Sequence, residues 1–142
     1  MAAMSALFPI APSKDALESG DKLTPRFDEN GLIAAIAVRS GAGDVLMFAW
    51  MNDLALKTTI ETGIAHYWSR SRQTLWKKGE TSGQLQTVRR MRIDCDQDAI
   101  VIEVSVGGDG GACHTGASTC FYRDVTVGVA DAAKACLRPA GD

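Results

Sequence analysis

The sequence predicts an α+β fold, a compact domain with a mainly antiparallel sheet and a few helices. Segments with the short apolar pattern of strands outnumber segments with helical periodicity. The strands and helices also do not alternate regularly, as they would around a parallel sheet. At 142 residues, 46% of them hydrophobic, the chain is long enough for one domain with its own core.

Residues 1–25 are expected to form an irregular or weakly helical extension, because they contain three prolines and scattered charges. The domain then covers residues 26–142. The N-terminus has no basic segment followed by an apolar core, and no stretch approaches the about 20 apolar residues that span a bilayer. We therefore expect a cytoplasmic protein with no membrane partner. The net charge of −2 gives no general reason to expect a nucleic-acid partner.

The first half of the domain is predicted as a hairpin followed by a helix. An apolar strand covers residues 32–38, a glycine-rich turn follows, and a second strand covers residues 45–50. Asn52 can cap the N-terminus of the helix, and Gly63 can end it in the left-handed conformation.

The second half is predicted to be richer in loops. A polar segment over residues 70–83, with several Lys, Gly, Ser and Thr residues, is typical of a functional loop. The alanine-rich residues 130–137 favour a C-terminal helix. Strands are predicted over residues 65–69, 85–93 and 100–106, the last two as neighbours.

Two of the four cysteines fall within eight positions, and they suggest a zinc site. In a helix, Cys113 and Cys120 would lie about 10.5 Å apart at about 1.5 Å per residue. Thiolates on one tetrahedral zinc ion lie only about 3.8 Å apart, given a Zn–S bond of about 2.3 Å. The segment must therefore fold back if both bind one ion, and Gly116 can allow it. Cys95 is the candidate third ligand, brought by a tertiary or quaternary contact, which leaves a fourth position for water.

The alternative for these cysteines is that they are buried and inert, and this is the interpretation we favour for Cys136, which has no polar cluster around it. With no export signal, the cysteines fit metal ligands or reduced thiols better than disulfides. His114 is a zinc ligand, a general base or a surface residue, and its position beside Cys113 leaves the three open.

Three aspartates, Asp94, Asp96 and Asp98, suggest a second site for a hard cation such as magnesium. They match the first ligands of an EF-hand loop, but the match fails at Ala99, where glycine is needed, and at Ser105, where a glutamate is needed. In a straight strand the outer two would lie about 13 Å apart, too far for one magnesium ion. Either the segment is bent or water mediates some contacts. The alternative is a solvated acidic turn.

A basic and aromatic segment upstream has the composition of a nucleotide site. Arg and Lys side chains favour phosphate, and a tryptophan face favours a nucleobase. The alternative is a charged loop with core tryptophans. The candidate substrate-binding residues are Trp68, Arg70, Arg72, Trp76, Lys78 and Ser82.

Taken together, these segments resemble the phosphoribosyl-AMP cyclohydrolase family of histidine biosynthesis. The resemblance rests on residues 68–72, 78–83, 94–98 and 112–121, and it covers roughly residues 27–123. It implies an intertwined homodimer, and a zinc- and magnesium-dependent opening of the adenine ring of phosphoribosyl-AMP between N1 and C6. It further implies that the zinc ligands are shared across the dimer interface, with Cys95, Cys113 and Cys120 on zinc, Asp94, Asp96 and Asp98 on magnesium, and His114 as a base.

Two departures from the family pattern stand out. The glycine-rich link over residues 107–111 is a residue or two longer than the family usually has, and residues 38–39 replace a more polar pair. The first departure bears on the geometry of the loop that leads to the cysteines.

Two other functions compete with this prediction. A zinc-dependent nucleotide deaminase would carry H-x-E and P-C-x-x-C, but no glutamate follows His114 at that spacing and no two cysteines have C-x-x-C spacing. A non-catalytic zinc module that binds nucleotides or nucleic acid would favour a closed site with four ligands and a basic surface. This chain instead offers three candidate cysteine ligands and a net charge of −2.

Overall fold

The computed structural model describes residues 4–141 and shows a four-stranded sheet with two separate hairpins. No helix among these residues is long and apolar enough to cross a membrane. A 3₁₀ turn, Ala132–Lys134, lies between the last two strands. In chain order the elements are α1 (Lys14–Ser19), β1 (Ile33–Arg39), β2 (Val45–Met51), α2 (Asp53–Thr62), β3 (His66–Ser69), β4 (Thr74–Lys77), β5 (Gln86–Ile93), β6 (Ala99–Val106), β7 (Arg123–Val125) and β8 (Leu137–Pro139).

The main sheet has the strand order β2-β1-β6-β5 and confirms the predicted α+β class. The antiparallel pair β1–β2 confirms the predicted hairpin, and the antiparallel pair β5–β6 confirms the two strands predicted as neighbours. The strands β1 and β6 run parallel at the centre. Alternate residues of β1 and β6 face the core, among them Ala35 and Ala37 opposite Ile100 and Ile102. Small side chains on β1 leave room for the branched ones beside them, so the core lies on this face of the sheet.

The predicted helix is confirmed as α2, together with both of its ends. The Asn52 side chain accepts a hydrogen bond of 2.9 Å from the backbone N–H of Ala55, and Gly63 closes the helix at a φ of 71°. Leu56 is fully buried, and the helix packs on β3. The helix therefore fixes where the β3–β4 hairpin begins.

The segment predicted as a loop over residues 70–83 contains a strand. Its middle part, β4, pairs with β3 in register from Ser69 and Thr74 to His66 and Lys77. Leu75 and Trp76 are half-buried against the core, and this packing stabilises a strand that its polar composition does not predict.

Within residues 4–25, the N-terminal extension contains the short helix α1, and it contacts the domain. The Gln97 side chain accepts a hydrogen bond of 2.8 Å from the N–H of Thr24 and donates one of 2.8 Å to the carbonyl of Leu17. Gln97 lies in the turn between β5 and β6, so the extension supports the acidic turn.

The predicted C-terminal helix over residues 130–137 is wrong. Those residues form the 3₁₀ turn and then enter β8, which pairs with β7. The N–H of Cys136 donates to the Thr126 hydroxyl at 2.9 Å, and this contact directs the chain towards β7. An isolated helix of fewer than about 12 residues is marginal in water, and among residues 4–141 no apolar surface covers residues 130–137. Cys136 is exposed, so the interpretation of it as a buried cysteine is also wrong.

Candidate functional site

The two clustered cysteines lie on a loop that folds back on itself. The N–H of Gly116 donates to the carbonyl of Cys113 at 3.0 Å, and Gly116 has a φ of 91°, which favours glycine. The N–H of Cys120 donates to the carbonyl of Leu46 on β2 at 2.8 Å. As a result, Cys113 and Cys120 lie near enough for each thiol to affect the pKa of the other. The fold-back predicted at Gly116 is confirmed.

The two thiols differ in acidity. A hydrogen bond of 3.1 Å from the Thr115 hydroxyl to Cys113 Sγ stabilises the thiolate and lowers the pKa of Cys113, and the charge of Lys78 acts in the same direction. Loss of solvation raises the pKa of Cys120, and the neighbouring Cys113 raises it further. Cys113 therefore ionises first, and an ion that binds both must overcome the higher pKa of Cys120.

A cavity of about 400 Å³ opens beside this thiol pair. One wall comes from β4 and the loop after it, and the other comes from the cysteine loop. Lys78 is buried, and its ammonium lies 5.6 Å from the centre of the Trp76 ring. Six predicted site residues line the cavity: Arg72, Trp76, Lys78, Ser82, Cys113 and His114.

Two predicted substrate-binding residues lie elsewhere. The Arg70 guanidinium stacks 5.5 Å from the centre of the Trp50 ring, and Trp68 lines a separate cavity of about 260 Å³ beside Asn52. Trp50 in turn lines a cavity of about 330 Å³ with Asp98. Neither Trp68 nor Arg70 lines the cavity beside the thiols.

The three aspartates converge on one point. One carboxylate oxygen from each of Asp94, Asp96 and Asp98 lies within 4.8 Å of the other two. The segment is a turn between β5 and β6, with Gln97 at a φ of 56°, and Asp94 Oδ1 accepts a hydrogen bond of 2.9 Å from the N–H of Asp98. The bent arrangement is confirmed, and three hard oxygen donors at this spacing fit a divalent cation such as magnesium.

The aspartates repel one another and share protons. A hydrogen bond with Asp94, followed by loss of solvation, raises the pKa of Asp98 to about 6. Burial opposes ionisation of Asp94, but hydrogen bonds from the side chain and backbone of Asp98 outweigh it and lower the Asp94 pKa. A cation at this site would replace the shared proton and relieve the repulsion.

Cys95 lies in the acidic turn and does not reach the thiol pair of its own chain. Among residues 4–141, the only group of three or more acidic, histidine or cysteine side chains close enough to hold one ion is the aspartate cluster. The turn lies at the β5–β6 side of the sheet, whereas Cys120 is bonded to β2 at the opposite edge. Two strand spacings, about 10 Å, separate β2 from β6 alone. One chain thus brings two thiols together and keeps the third apart.

Several residues that shape the site were not found from the sequence. Arg39 donates to the carbonyl of Gly110 at 3.4 Å and to that of Ser118 at 3.1 Å, so it holds both ends of the cysteine loop. Gln84 and Asp109 join the two walls of the cavity. Two of the three gave a sequence signal: Arg39 belongs to the unusual pair at residues 38–39, and Asp109 lies in the long glycine-rich link over residues 107–111. The contact of Gln84 with Asp109 spans 25 residues, which no local pattern reveals.

The fold and the cavity define the class of this protein, a small α+β enzyme domain. A family model described as phosphoribosyl-AMP cyclohydrolase matches residues 47–122, which include both cavity walls and the acidic turn. The chain is 65% identical to a phosphoribosyl-AMP cyclohydrolase of Caulobacter sp. (strain K31), over 84% of this chain and 90% of the relative. It is 56% identical to one of Brucella abortus (strain S19), over 96% of each chain. The chain belongs to the phosphoribosyl-AMP cyclohydrolase family, whose members are hydrolases by name.

Proposed function

We propose that this chain hydrolyses phosphoribosyl-AMP and opens its adenine ring between N1 and C6, with zinc at the cysteines and magnesium at the aspartates. The observation that carries the proposal is the cavity in which Lys78, Trp76 and His114 lie beside the thiol pair of a chain from this family. A volume of about 400 Å³ lies in the range of small-ligand sites.

Basic and aromatic side chains would bind the two ends of the substrate. Lys78 and Arg72 present cations to a phosphate, and Ser82 adds a hydroxyl. The ring of Trp76 is held between Tyr67, at 5.6 Å, and Lys78, so it offers a fixed edge to a nucleobase more readily than a free face. Trp68 and Arg70 do not line this cavity, so they would reach the substrate only from a second subunit.

The thiol pair fits zinc, because two neighbouring thiolates and a third protein ligand would leave the fourth tetrahedral position of the ion open. Cys113 and Cys120 would hold the ion, with Cys95 of a second copy as the third ligand. When bound, zinc supplies Lewis-acid activation of water at neutral pH. His114 lies on the cavity wall, and its imidazole would accept a proton as water adds to C6. It would return that proton to N1 as the C6–N1 bond breaks, which favours ring opening over loss of the exocyclic amine.

The acidic turn of one subunit would bring magnesium close to the thiol pair of the other. Because Cys95 lies between Asp94 and Asp96, moving Cys95 to the thiols of a partner brings the aspartates along. A cation there would bind a phosphate or ribose oxygen and orient the substrate. Each complete site would then combine the cavity of one subunit with the acidic turn of the other.

The C-terminal hairpin supports a homodimer. Within residues 4–141, β7 and β8 pack mainly against each other, and every residue of both strands is exposed. Val127, beside them, is 89% exposed. A two-stranded hairpin is marginal alone in water, so we propose that it packs on the second subunit of an intertwined dimer. All four cysteines are free, which agrees with the cytoplasm as the location of the enzyme.

Ultraviolet spectroscopy tests the proposed reaction. Protein loaded with zinc and magnesium is expected to convert phosphoribosyl-AMP to the ring-opened product without release of ammonia. Cys113→Ala is expected to lose zinc and at least about a thousandfold of the activity, whereas Cys136→Ser, a matched exposed cysteine, keeps both. Release of ammonia would identify a deaminase. A wild-type protein that retains zinc and leaves the substrate unchanged would contradict the proposal.

A further inference from the structure

The two walls of the cavity are joined by one pair of side chains. Gln84 Nε2 donates a hydrogen bond of 2.5 Å to Asp109 Oδ1. The same oxygen accepts the N–H of Gly111 at 2.9 Å. Gln84 lines the cavity at the end of the loop after β4, and Asp109 lies in the glycine link that leads to Cys113. Asp109 itself does not line the cavity.

The loop that carries Gln84 is tightly packed on its own backbone. The N–H of Gly83 donates to the carbonyl of Gly79 at 2.8 Å. A Cβ at Gly79 would lie 2.1 Å from the carbonyl carbon of Gln84, so the two ends of the loop touch. The loop can therefore shift only as a unit, and its position depends on what holds Gln84.

The glycine link is packed against the same loop. The N–H of Gly107 donates to the carbonyl of Leu85 at 2.8 Å, and a Cβ at Gly108 would lie 3.1 Å from the carbonyl oxygen of Gly83. A Cβ at Gly111 would lie 2.9 Å from Gln84 Nε2. Only a link of glycines lets Asp109 approach Gln84 this closely.

We infer that Asp109 is a positioning residue, which acts through Gln84 to hold the loop of residues 79–84 at a fixed distance from the cysteine loop. This loop includes Ser82 and follows Lys78, so its position sets where the substrate phosphate lies relative to the thiols. The carboxylate orders both walls at once, because one oxygen binds Gln84 and Gly111 together. The inference rests on the proposed function for its kinetic test but not for its structural one.

The kinetic test compares Asp109→Ala with Asp109→Asn. Alanine removes the acceptor, so we expect KM for phosphoribosyl-AMP to rise about three- to tenfold, with kcat changed less than about twofold and zinc content unchanged. Asparagine keeps Oδ1 as an acceptor for Gln84 and Gly111, so its KM should stay within about twofold of wild type. In the Gln84→Ala background, Asp109→Ala should raise KM much less than it does in wild type, because the contact with Gln84 is already lost and only the one with Gly111 remains.

The structural test needs no substrate. Amide hydrogen exchange over residues 79–85 is expected to be faster in Asp109→Ala than in wild type and unchanged in Asp109→Asn. Wild-type KM and wild-type exchange in Asp109→Ala would overturn the inference, as would additive effects with Gln84→Ala. An inactive wild-type enzyme with faster exchange in Asp109→Ala would instead count against the proposed function and leave the positioning role supported.

Discussion

Each site depends at the residue scale on groups that share or compete for protons. Thr115 and Lys78 favour the thiolate of Cys113, so in the proposed zinc site this cysteine would ionise before Cys120. In the acidic turn, Asp98 holds a proton beside Asp94 below about pH 6 when no cation is present. Both arrangements make metal binding release protons, and metal affinity should fall as the pH is lowered.

The acidic turn gives a pH prediction that can be checked by calorimetry. The pKa of Asp98 is raised to about 6 in the folded protein, above its unfolded value, so the folded state binds more protons between about pH 4 and about pH 6. The contribution of Asp98 to the stability of the metal-free protein therefore falls as the pH rises through this window. Magnesium must displace that proton, so its affinity is expected to weaken as the pH falls from about 7.5 to about 5.5.

Two variants separate this effect from general charge effects. Asp98→Asn should weaken magnesium binding about tenfold or more and remove the fall in metal-free stability across that window. Asp15→Asn, an exposed aspartate on α1, should change neither. Titrations of magnesium into both variants provide the measurement. A magnesium affinity in Asp98→Asn equal to that of wild type would contradict the assignment of this carboxylate as a ligand.

At the residue scale, the confirmed predictions are those that follow from the spacing of the cysteines and aspartates along the chain. The fold-back between Cys113 and Cys120 and the bend at the aspartates both follow from distances that a straight segment could not meet. The contacts of Arg39, Gln84 and Asp109 could not be predicted, because each joins residues that only the finished sheet brings together. The roles of the metal ligands and of His114 stay predictions.

At the element scale, the well-predicted parts are those in which local signals agree. The strand β1, the strand β2 and the helix α2 each combine an apolar pattern with clear turns or caps, and their bounds differ little from the predicted ones. The strand β4 was missed because tertiary packing of Trp76 outweighs a polar sequence. The helix predicted for the alanine-rich C-terminal segment does not form, because helix propensity is too weak when no tertiary packing supports it.

Two glycines in the loop of residues 79–84 allow a prediction in which one variant serves as the control for the other. Gly79 and Gly83 have nearly equal φ values, 83° and 80°, so alanine at either should cost about 1 kcal/mol of backbone strain. At Gly83 nothing lies within 4 Å of the added Cβ, whereas at Gly79 the backbone of Gln84 lies at 2.1 Å. Gly79→Ala is therefore expected to lower the free energy of unfolding by at least about 2–3 kcal/mol and to raise KM strongly. Urea denaturation of both variants measures the difference, and equal effects would show that the close packing is not maintained in solution.

The main question at the scale of the whole molecule is how the third cysteine reaches the other two. Two features point to a second subunit: the separation of Cys95 from the thiol loop within one chain, and the exposed C-terminal hairpin. In a dimer with two-fold symmetry, each contact occurs twice, so each acidic turn would meet the cavity of its partner. The fold of one chain can be read largely from its sequence, but the site cannot, because half of it is expected on another chain.

Subunit mixing tests this sharing directly. In a heterodimer of Cys95→Ala and Cys113→Ala subunits, one site would carry both substitutions and the other would carry neither. Random pairing should therefore restore about a quarter of the wild-type zinc sites and activity, because about half of the dimers are mixed and each has one intact site. The matched control mixes Cys113→Ala with Cys120→Ala, in which every cavity lacks a thiol and no site is restored. Co-expression with two affinity tags isolates the mixed dimers, and zinc analysis of these should find about half of their sites filled, one in each dimer. If the first mixture recovers no more zinc or activity than the control, the three cysteines do not meet across an interface.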